Sequence, residues 1–238
     1  MKRLTLPLAL ALAAALPILS GCDGEASTLE KFEAWQAEQV VAVPVTSVVE
    51  RDFERTITGT GGLESPSIVN LDGGTDVEIV FGSGSGLRAY KNDGALLWHN
   101  PNIRGTWMGA TAIANLDADA APEIVAVSDS NSPFVKSIHV VEADGSVTWV
   151  YTLPNTTPGP SSPVLADLTG DGKPDIVVAS GQTLYAFDYA GAITPTLLFT
   201  RAAGANHYGS PAIADIDSDS RPEIIIGWDG IVSAYEHD

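Results

Sequence analysis

An all-β fold made of four repeated units is predicted by three features of the sequence. An acidic nine-residue loop begins at Asn70, Asn115, Asp167 and Asp215, so the intervals are 45, 52 and 48 residues. A short apolar run precedes every loop, and runs of β-branched and aromatic residues separated by Gly, Asn and Asp follow it. Such runs are typical of strands joined by tight turns. Self-similarity at this period, with four antiparallel strands per unit, is typical of the blades of a β-propeller.

The predicted propeller domain covers residues 41–238 and contains four units. Their approximate bounds are 60–105, 106–157, 158–205 and 206–238. The last unit reaches Asp238 before a fourth strand. A β-like segment at 41–58 is a candidate for that strand, because propellers often borrow a strand from the other end of the chain and so remove open sheet edges. We expect either a four-bladed ring closed in this way or a part of a larger propeller.

The first 21 residues have the composition of a secretory signal peptide. Lys2 and Arg3 form a basic start, an apolar stretch follows, and small residues precede Cys22. Residues 19–22 read LSGC, which resembles the lipobox of bacterial lipoproteins. The resemblance implies cleavage before Cys22 and lipidation of its thiol, so that the mature protein is anchored to a membrane and faces the periplasm or the cell surface. The alternative is an ordinary secretory signal followed by an unrelated cysteine.

Residues 22–40 are predicted to form a lipid-anchored spacer with a short helix, since Ser27 and Glu30 form a capping-box pattern. Cys22 is the only cysteine of the chain, so no disulfide can form within it. Packing or metal must therefore hold the exported domain together.

The charge of the chain excludes nucleic acid held through its phosphates. Residues 1–21 contain two of the 12 basic residues and none of the 30 acidic ones, so the mature chain would have ten basic against 30 acidic side chains and a formal charge of −20. A surface this negative repels phosphate. It suits an exported protein that binds cations.

Each loop carries the oxygen groups that calcium prefers. Calcium takes six to eight oxygen ligands, and closely spaced carboxylates and backbone carbonyls supply them. If the first residue of each loop is position one, the candidates are the side chains at positions one, three, five and nine and the carbonyl at position seven. The third unit has Asp167, Thr169, Asp171, Lys173 and Asp175; the fourth has Asp215, Asp217, Asp219, Arg221 and Glu223; the second has Asn115, Asp117, Asp119, Ala121 and Glu123.

The third loop ranks first, because Gly172 stands where the loop must turn and glycine adopts positive φ without steric cost. In the fourth loop Ser220 replaces that glycine, at a cost of ~1 kcal/mol if its backbone is left-handed. The second loop has one fewer carboxylate, and the first has Gly74 at position five and is the weakest candidate. Its remaining acceptors are Asn70, Asp72 and Glu78. The alternative for every loop is a hydrated turn whose Asp side chains cap their own backbone.

The units resemble the FG-GAP or VCBS repeats that form the propeller blades of integrin α chains and of many exported bacterial proteins. The resemblance covers residues 60–238. Its specific part is a D-x-D-x-D-G-x-x-D loop between the first and second strands, which reads DLTGDGKPD at 167–175. The resemblance implies calcium in these loops and a binding or scaffolding role similar to that of adhesion modules, with a protein or glycan as ligand.

Two aligned segments that enter the second and fourth units supply a candidate ligand patch. In propellers of the resembling family, such loops lie on the face opposite the calcium loops and commonly bind partners. This implies a patch made of Arg104, Trp107, His207 and Tyr208. The alternative is that these side chains pack between blades.

No catalytic motif is visible in the sequence. The chain has no Gly-x-Ser-x-Gly elbow, its lone cysteine is assigned to lipidation, and its four histidines are not closely paired. We therefore expect a protein that is not an enzyme. The competing class is a propeller enzyme of the polysaccharide lyase or quinone-dependent dehydrogenase type, with its site in the central channel, because propellers host many activities.

Overall fold

The computed structural model describes residues 53–54, 64–105, 109–131, 134–189, 195–202, 206 and 209–236. These residues form fifteen strands and no helix. It follows that no helix of this described part is long and apolar enough to cross a membrane. The predicted signal peptide and the spacer at 22–40 lie outside the described residues.

The strands form four separate antiparallel sheets. The first sheet contains β1 (Ser67–Val69), β2 (Glu78–Ser83), β3 (Gly86–Tyr90) and β4 (Leu96–Asn100). The second contains β5 (Ala112–Ala114), β6 (Glu123–Asn131), β7 (Phe134–Val141) and β8 (Val147–Leu153). The third contains β9 (Val164–Ala166), β10 (Asp175–Ser180), β11 (Thr183–Asp188) and β12 (Thr196–Ala202), and the last contains β13 (Ala212–Ala214), β14 (Glu223–Trp228) and β15 (Ile231–Tyr235).

In every sheet the strands pair in chain order, so each sheet is an up-and-down blade. The acid at position nine of each loop is the first residue of the second strand. The loop therefore connects the first and second strands of its blade, as the repeat pattern predicts. The prediction of an all-β, four-bladed propeller is confirmed.

The apolar core lies between neighbouring blades. Val127 and Ile138 of the second blade pack in one cluster with Ile176 and Phe187 of the third. The ring of Tyr151 meets that of Phe187 edge to face, with 4.7 Å between centroids. The second and third blades therefore have a neighbour on each face. For this reason every residue of β10 is buried, and buried and exposed residues do not alternate along it.

The first strands of successive blades lie beside one another, β1 near β5, β5 near β9, and β9 near β13. Hydrogen bonds join them: the amide of Ala110 donates to Oγ of Ser162 at 2.9 Å, and the amide of Ser162 donates to Oγ of Ser210 at 3.2 Å. These partners are 52 and 48 residues apart, so the same position of each repeat contacts its counterpart in the next blade.

The fourth sheet has three strands within the described residues. Of the segment at 41–58, the structure describes only residues 53 and 54. The side chain of Phe53 lies against the turn at Gly94 of the first blade, where an added Cβ would be 2.6 Å from its ring. Closure by this segment, and membership of a larger propeller, stay predictions.

Candidate metal centres

The acid at position nine is the buried end of each loop. Glu78, Glu123, Asp175 and Glu223 are at most 2 % exposed. One carboxylate oxygen of each accepts the backbone N–H of position two, from Leu71 at 2.8 Å, Leu116 at 2.5 Å, Leu168 at 2.7 Å and Ile216 at 2.7 Å. This bond ties the end of the loop to its beginning, and it uses one of the two oxygens.

The second oxygen of three of these acids has no hydrogen-bond partner. Oε1 of Glu123, Oδ1 of Asp175 and Oε1 of Glu223 are buried and unpaired. Burial raises the pKa of Glu123, and it raises the pKa of Asp175 to about 6. An unpaired buried carboxylate oxygen is costly, so each of these positions favours a positively charged partner.

Two loops gather three carboxylates around such an oxygen. Ligand atoms of Asp117, Asp119 and Glu123 lie within 4.8 Å of one another, and so do those of a second set, Asp215, Asp217 and Glu223. Three carboxylates at this separation repel one another unless a cation neutralises them. The second and fourth loops thus each bring together three carboxylates that could hold a hard cation, for which carboxylate oxygens are preferred ligands.

In the described part of the chain, the third loop gathers no such set, although the sequence ranks it first. Both oxygens of Asp167 accept loop amides, from Gly170 at 2.6 Å and from Gly172 at 2.8 Å. Position three is Thr169, whose Oγ1 is buried without a partner, as is Oδ1 of Asp175. The third loop therefore has no carboxylate at position three, where the second and fourth loops have Asp117 and Asp217.

The backbone of the fourth loop is left-handed at Ser220, with a φ of 76°. Gly172, at the same position of the third loop, has a φ of 86°. The condition that the sequence analysis attached to the cost at Ser220 is therefore met, since only glycine adopts this conformation without penalty. The first loop gathers no set of three acids within the described residues. There the amide of Gly74 donates to Oδ1 of Asp72 at 2.8 Å.

Sequence reasoning named Lys173 only for its backbone carbonyl and missed its side chain, which leaves the third loop and enters the second. Its ammonium donates to Oδ1 of Asn115 at 2.9 Å and to the backbone carbonyl of Asp117. The side chain connects two neighbouring blades, and the spacing of residues within a single loop does not predict such a contact. An ammonium here offsets part of the repulsion among the acids and contacts the candidate ligand at position one.

Replacing Lys173 with methionine is expected to strengthen cation binding at the second loop. Removing one unit charge near the site is worth on the order of 1 kcal/mol, about a five-fold tighter affinity. Isothermal titration with calcium measures the change, and Arg104→Met, which removes an exposed positive charge outside the acidic loops, is the control. Equal affinities in the two variants would show that the Lys173 ammonium has no effect on the site.

The FG-GAP-like repeat family matches the chain twice, at residues 115–178 and 167–226. Each match begins at position one of a loop and runs into the next unit. Residues 115–226 of this chain carry FG-GAP-like repeats. No curated protein matches it significantly.

Solved structures with the same fold include two propellers. One is the biofilm matrix protein Bap1 of V. cholerae, with 20% identity and a TM-score of 0.52, which covers 73% of this chain and 27% of that one. The other is BBS1N, solved in complex with ARL6DN, with 14% identity and a TM-score of 0.53, which covers 72% of this chain and 53% of that one. The chain thus spans about a quarter of one and about half of the other, and the likeness shows the fold alone.

Of the candidate ligand patch, the structure describes only Arg104. Its side chain is exposed, and the neighbouring Gly105 is so close to Asp129 that an added Cβ would lie 2.6 Å from the backbone of that residue. Asp129 stands near the end of β6 that lies away from the loop, so Arg104 is at the opposite end of the FG-GAP-like blades from the acidic loops. Trp107, His207 and Tyr208 lie outside the described residues, and the patch stays a prediction.

Proposed function

We propose that the FG-GAP-like loops of this chain bind calcium, and that the calcium-stabilised propeller acts as a binding or scaffolding module. The unpaired, buried oxygens of Glu123 and Glu223, each within reach of two more carboxylates, are the observation that carries the proposal. These groups fit a hard cation in charge and in donor type. Calcium, when bound, neutralises the acids and stabilises the folded state by linkage.

Hydrogen bonds within the second loop hold two of its carboxylates in position. Oδ1 of Asp117 accepts the amide of Asp119 at 2.8 Å, and Oδ1 of Asp119 accepts the amide of Ala121 at 2.7 Å. Each bond fixes a carboxylate while leaving its other oxygen available. The carbonyls of Ala121 and Arg221, at position seven, are backbone oxygens of the kind that complete calcium sites.

The module's ligand is proposed to be a protein or a glycan, because the strongly acidic surface disfavours nucleic acid. Propellers of this fold occur in a biofilm matrix protein and in a complex with a protein partner, which supports a role in assembly. Arg104, exposed on the face away from the acidic loops, is the described residue of the proposed surface. No catalytic role is proposed.

Export and lipid anchoring at Cys22 belong to the proposal and rest on the sequence of the first 22 residues. They imply a mature protein on a membrane, facing the periplasm or the cell surface. A Cys22→Ser variant that still fractionates with membranes would contradict the anchor.

Calcium titration of the full chain in detergent tests the central part of the proposal. We expect saturable binding, with the heat of binding reduced when Asp217→Ala removes one acid of the gathered set in the fourth loop. The control is Asp93→Asn, which changes an exposed acid of the first blade and keeps an oxygen for the amide of Ala95, 2.8 Å away. Absence of binding by the unaltered chain would overturn the proposal.

A further inference from the structure

Strand pairing places a second acid opposite the buried one in three of the four blades. In the third blade Ile176 of β10 pairs with Phe187 of β11, so the next step along the ladder sets Asp175 opposite Asp188. In the second blade Ile124 pairs with Val141, which sets Glu123 opposite Glu142. Residues directly opposite in an antiparallel pair have Cβ atoms about 5 Å apart.

Like charges in this relation destabilise a sheet. The fourth blade nevertheless repeats the arrangement, because the pairing of Ile224 with Tyr235 sets Glu223 opposite Glu236. The first blade differs: the pairing of Ile79 with Tyr90 sets Glu78 opposite Lys91. A lysine thus replaces the second acid in the blade whose loop has glycine at position five.

In the third blade the second acid is Asp188, and it adds to a group of buried oxygens without hydrogen-bond partners. Oδ1 of Asp188 is buried without a hydrogen-bond partner, and so are Oδ1 of Asp175 and Oγ1 of Thr169. Electrostatic repulsion from Asp188 is among the causes that raise the pKa of Asp175, which agrees with their closeness. Three unpaired buried oxygens at one end of one blade are costly, and a bound cation would remove this cost.

We propose that Asp188 supplies a carboxylate ligand from outside the loop to a cation held by the third loop, in place of the carboxylate that Thr169 does not provide at position three. This inference rests on the proposed function, since the cation is the calcium proposed for the loops. Glu142 stands at the same position in the second blade, opposite Glu123.

The test compares Asp188→Asn with the unaltered chain by calcium titration in detergent. Asparagine keeps the size of the side chain and removes its charge. We expect the variant to lose one binding event or to bind calcium at that site at least about ten-fold more weakly, since removing a group that supports a metal site costs 10- to 100-fold in affinity. Asp93→Asn, which also removes one negative charge but in an exposed turn, is expected to titrate like the unaltered chain.

Thermal unfolding of the same proteins gives a second readout. In chelator, Asp188→Asn is expected to melt no lower than the unaltered chain, because the substitution removes the repulsion between two like charges. This result would also show that the variant folds. In calcium it is expected to melt lower. Calcium binding by the unaltered chain with an unchanged titration of Asp188→Asn would overturn this inference alone, whereas absence of binding by the unaltered chain would overturn the proposed function and this inference with it.

Discussion

Replacing Gly109 with alanine is expected to destabilise the propeller by roughly 3 kcal/mol, the upper range for overpacking a well-packed contact. A Cβ added at Gly109 would lie 2.6 Å from both the Cα and the amide nitrogen of Ser162 in the next blade. These are backbone atoms, and the amide of Ala110 donates to Oγ of the same Ser162. Relief of the clash would therefore move two first strands apart. Urea unfolding at equilibrium measures the loss.

Gly209 is the matched control, because it precedes the first strand of the fourth blade as Gly109 precedes that of the second. A Cβ added at Gly209 would meet nothing within 4 Å. We expect Gly209→Ala to change the free energy of unfolding by less than about 0.5 kcal/mol, as surface substitutions usually do. Similar losses in both variants would contradict the assignment of this position to the contact between blades.

Acid is expected to weaken the fold through His139. Burial lowers the pKa of this histidine to about 4, and Oγ of Ser128 lies 2.9 Å from its Nε2. In the unfolded chain the imidazole takes a proton near pH 6.5, whereas in the folded chain it stays neutral down to about pH 4. The unfolded state thus binds more protons between these values, so stability falls as the pH falls. The full effect is on the order of 3 kcal/mol.

The difference between the unaltered chain and His139→Gln isolates this effect. Glutamine keeps a polar group near Ser128 and does not titrate. Asp175 acts in the opposite sense, because its raised pKa stabilises the fold as the pH falls through about 6, but it is present in both proteins and cancels. We expect the variant to lose less stability than the unaltered chain between pH 7 and pH 4.5. Parallel losses would show that His139 does not cause the acid sensitivity.

The repeat made most of the fold predictable. Each loop is followed by an apolar run that forms the second strand, and the acid at position nine begins that strand in every blade, as in Glu123 and Asp175. The pattern is local: a turn, a buried acid and a strand follow within a few residues. The left-handed turn at Ser220 was predictable for the same reason, since it occupies the position of Gly172.

The contacts between blades and between strands were not predictable from loop spacing. Lys173 reaches Asn115 across 58 residues, and this contact depends on how two blades pack. Asp188 lies opposite Asp175 only once the register of β10 and β11 is known. A sequence signal for this acid was nevertheless present. The position that ends the third strand or directly follows it is acidic in three units, as Glu142, Asp188 and Glu236, and is Lys91 in the first. This acid lies outside the nine loop positions, so the composition of the loops alone does not reveal it.

The central claim is that calcium in the acidic loops stabilises the propeller, and thermal unfolding of the full chain in calcium and in chelator tests it most directly. At a calcium concentration one hundred times the dissociation constant, linkage supplies about 2.7 kcal/mol per site, which raises the melting temperature by about 8 °C for a domain of this size. We expect a rise of at least this extent, reduced in Asp217→Ala. Equal melting temperatures in calcium and in chelator would contradict the claim and leave the loops as hydrated acidic turns.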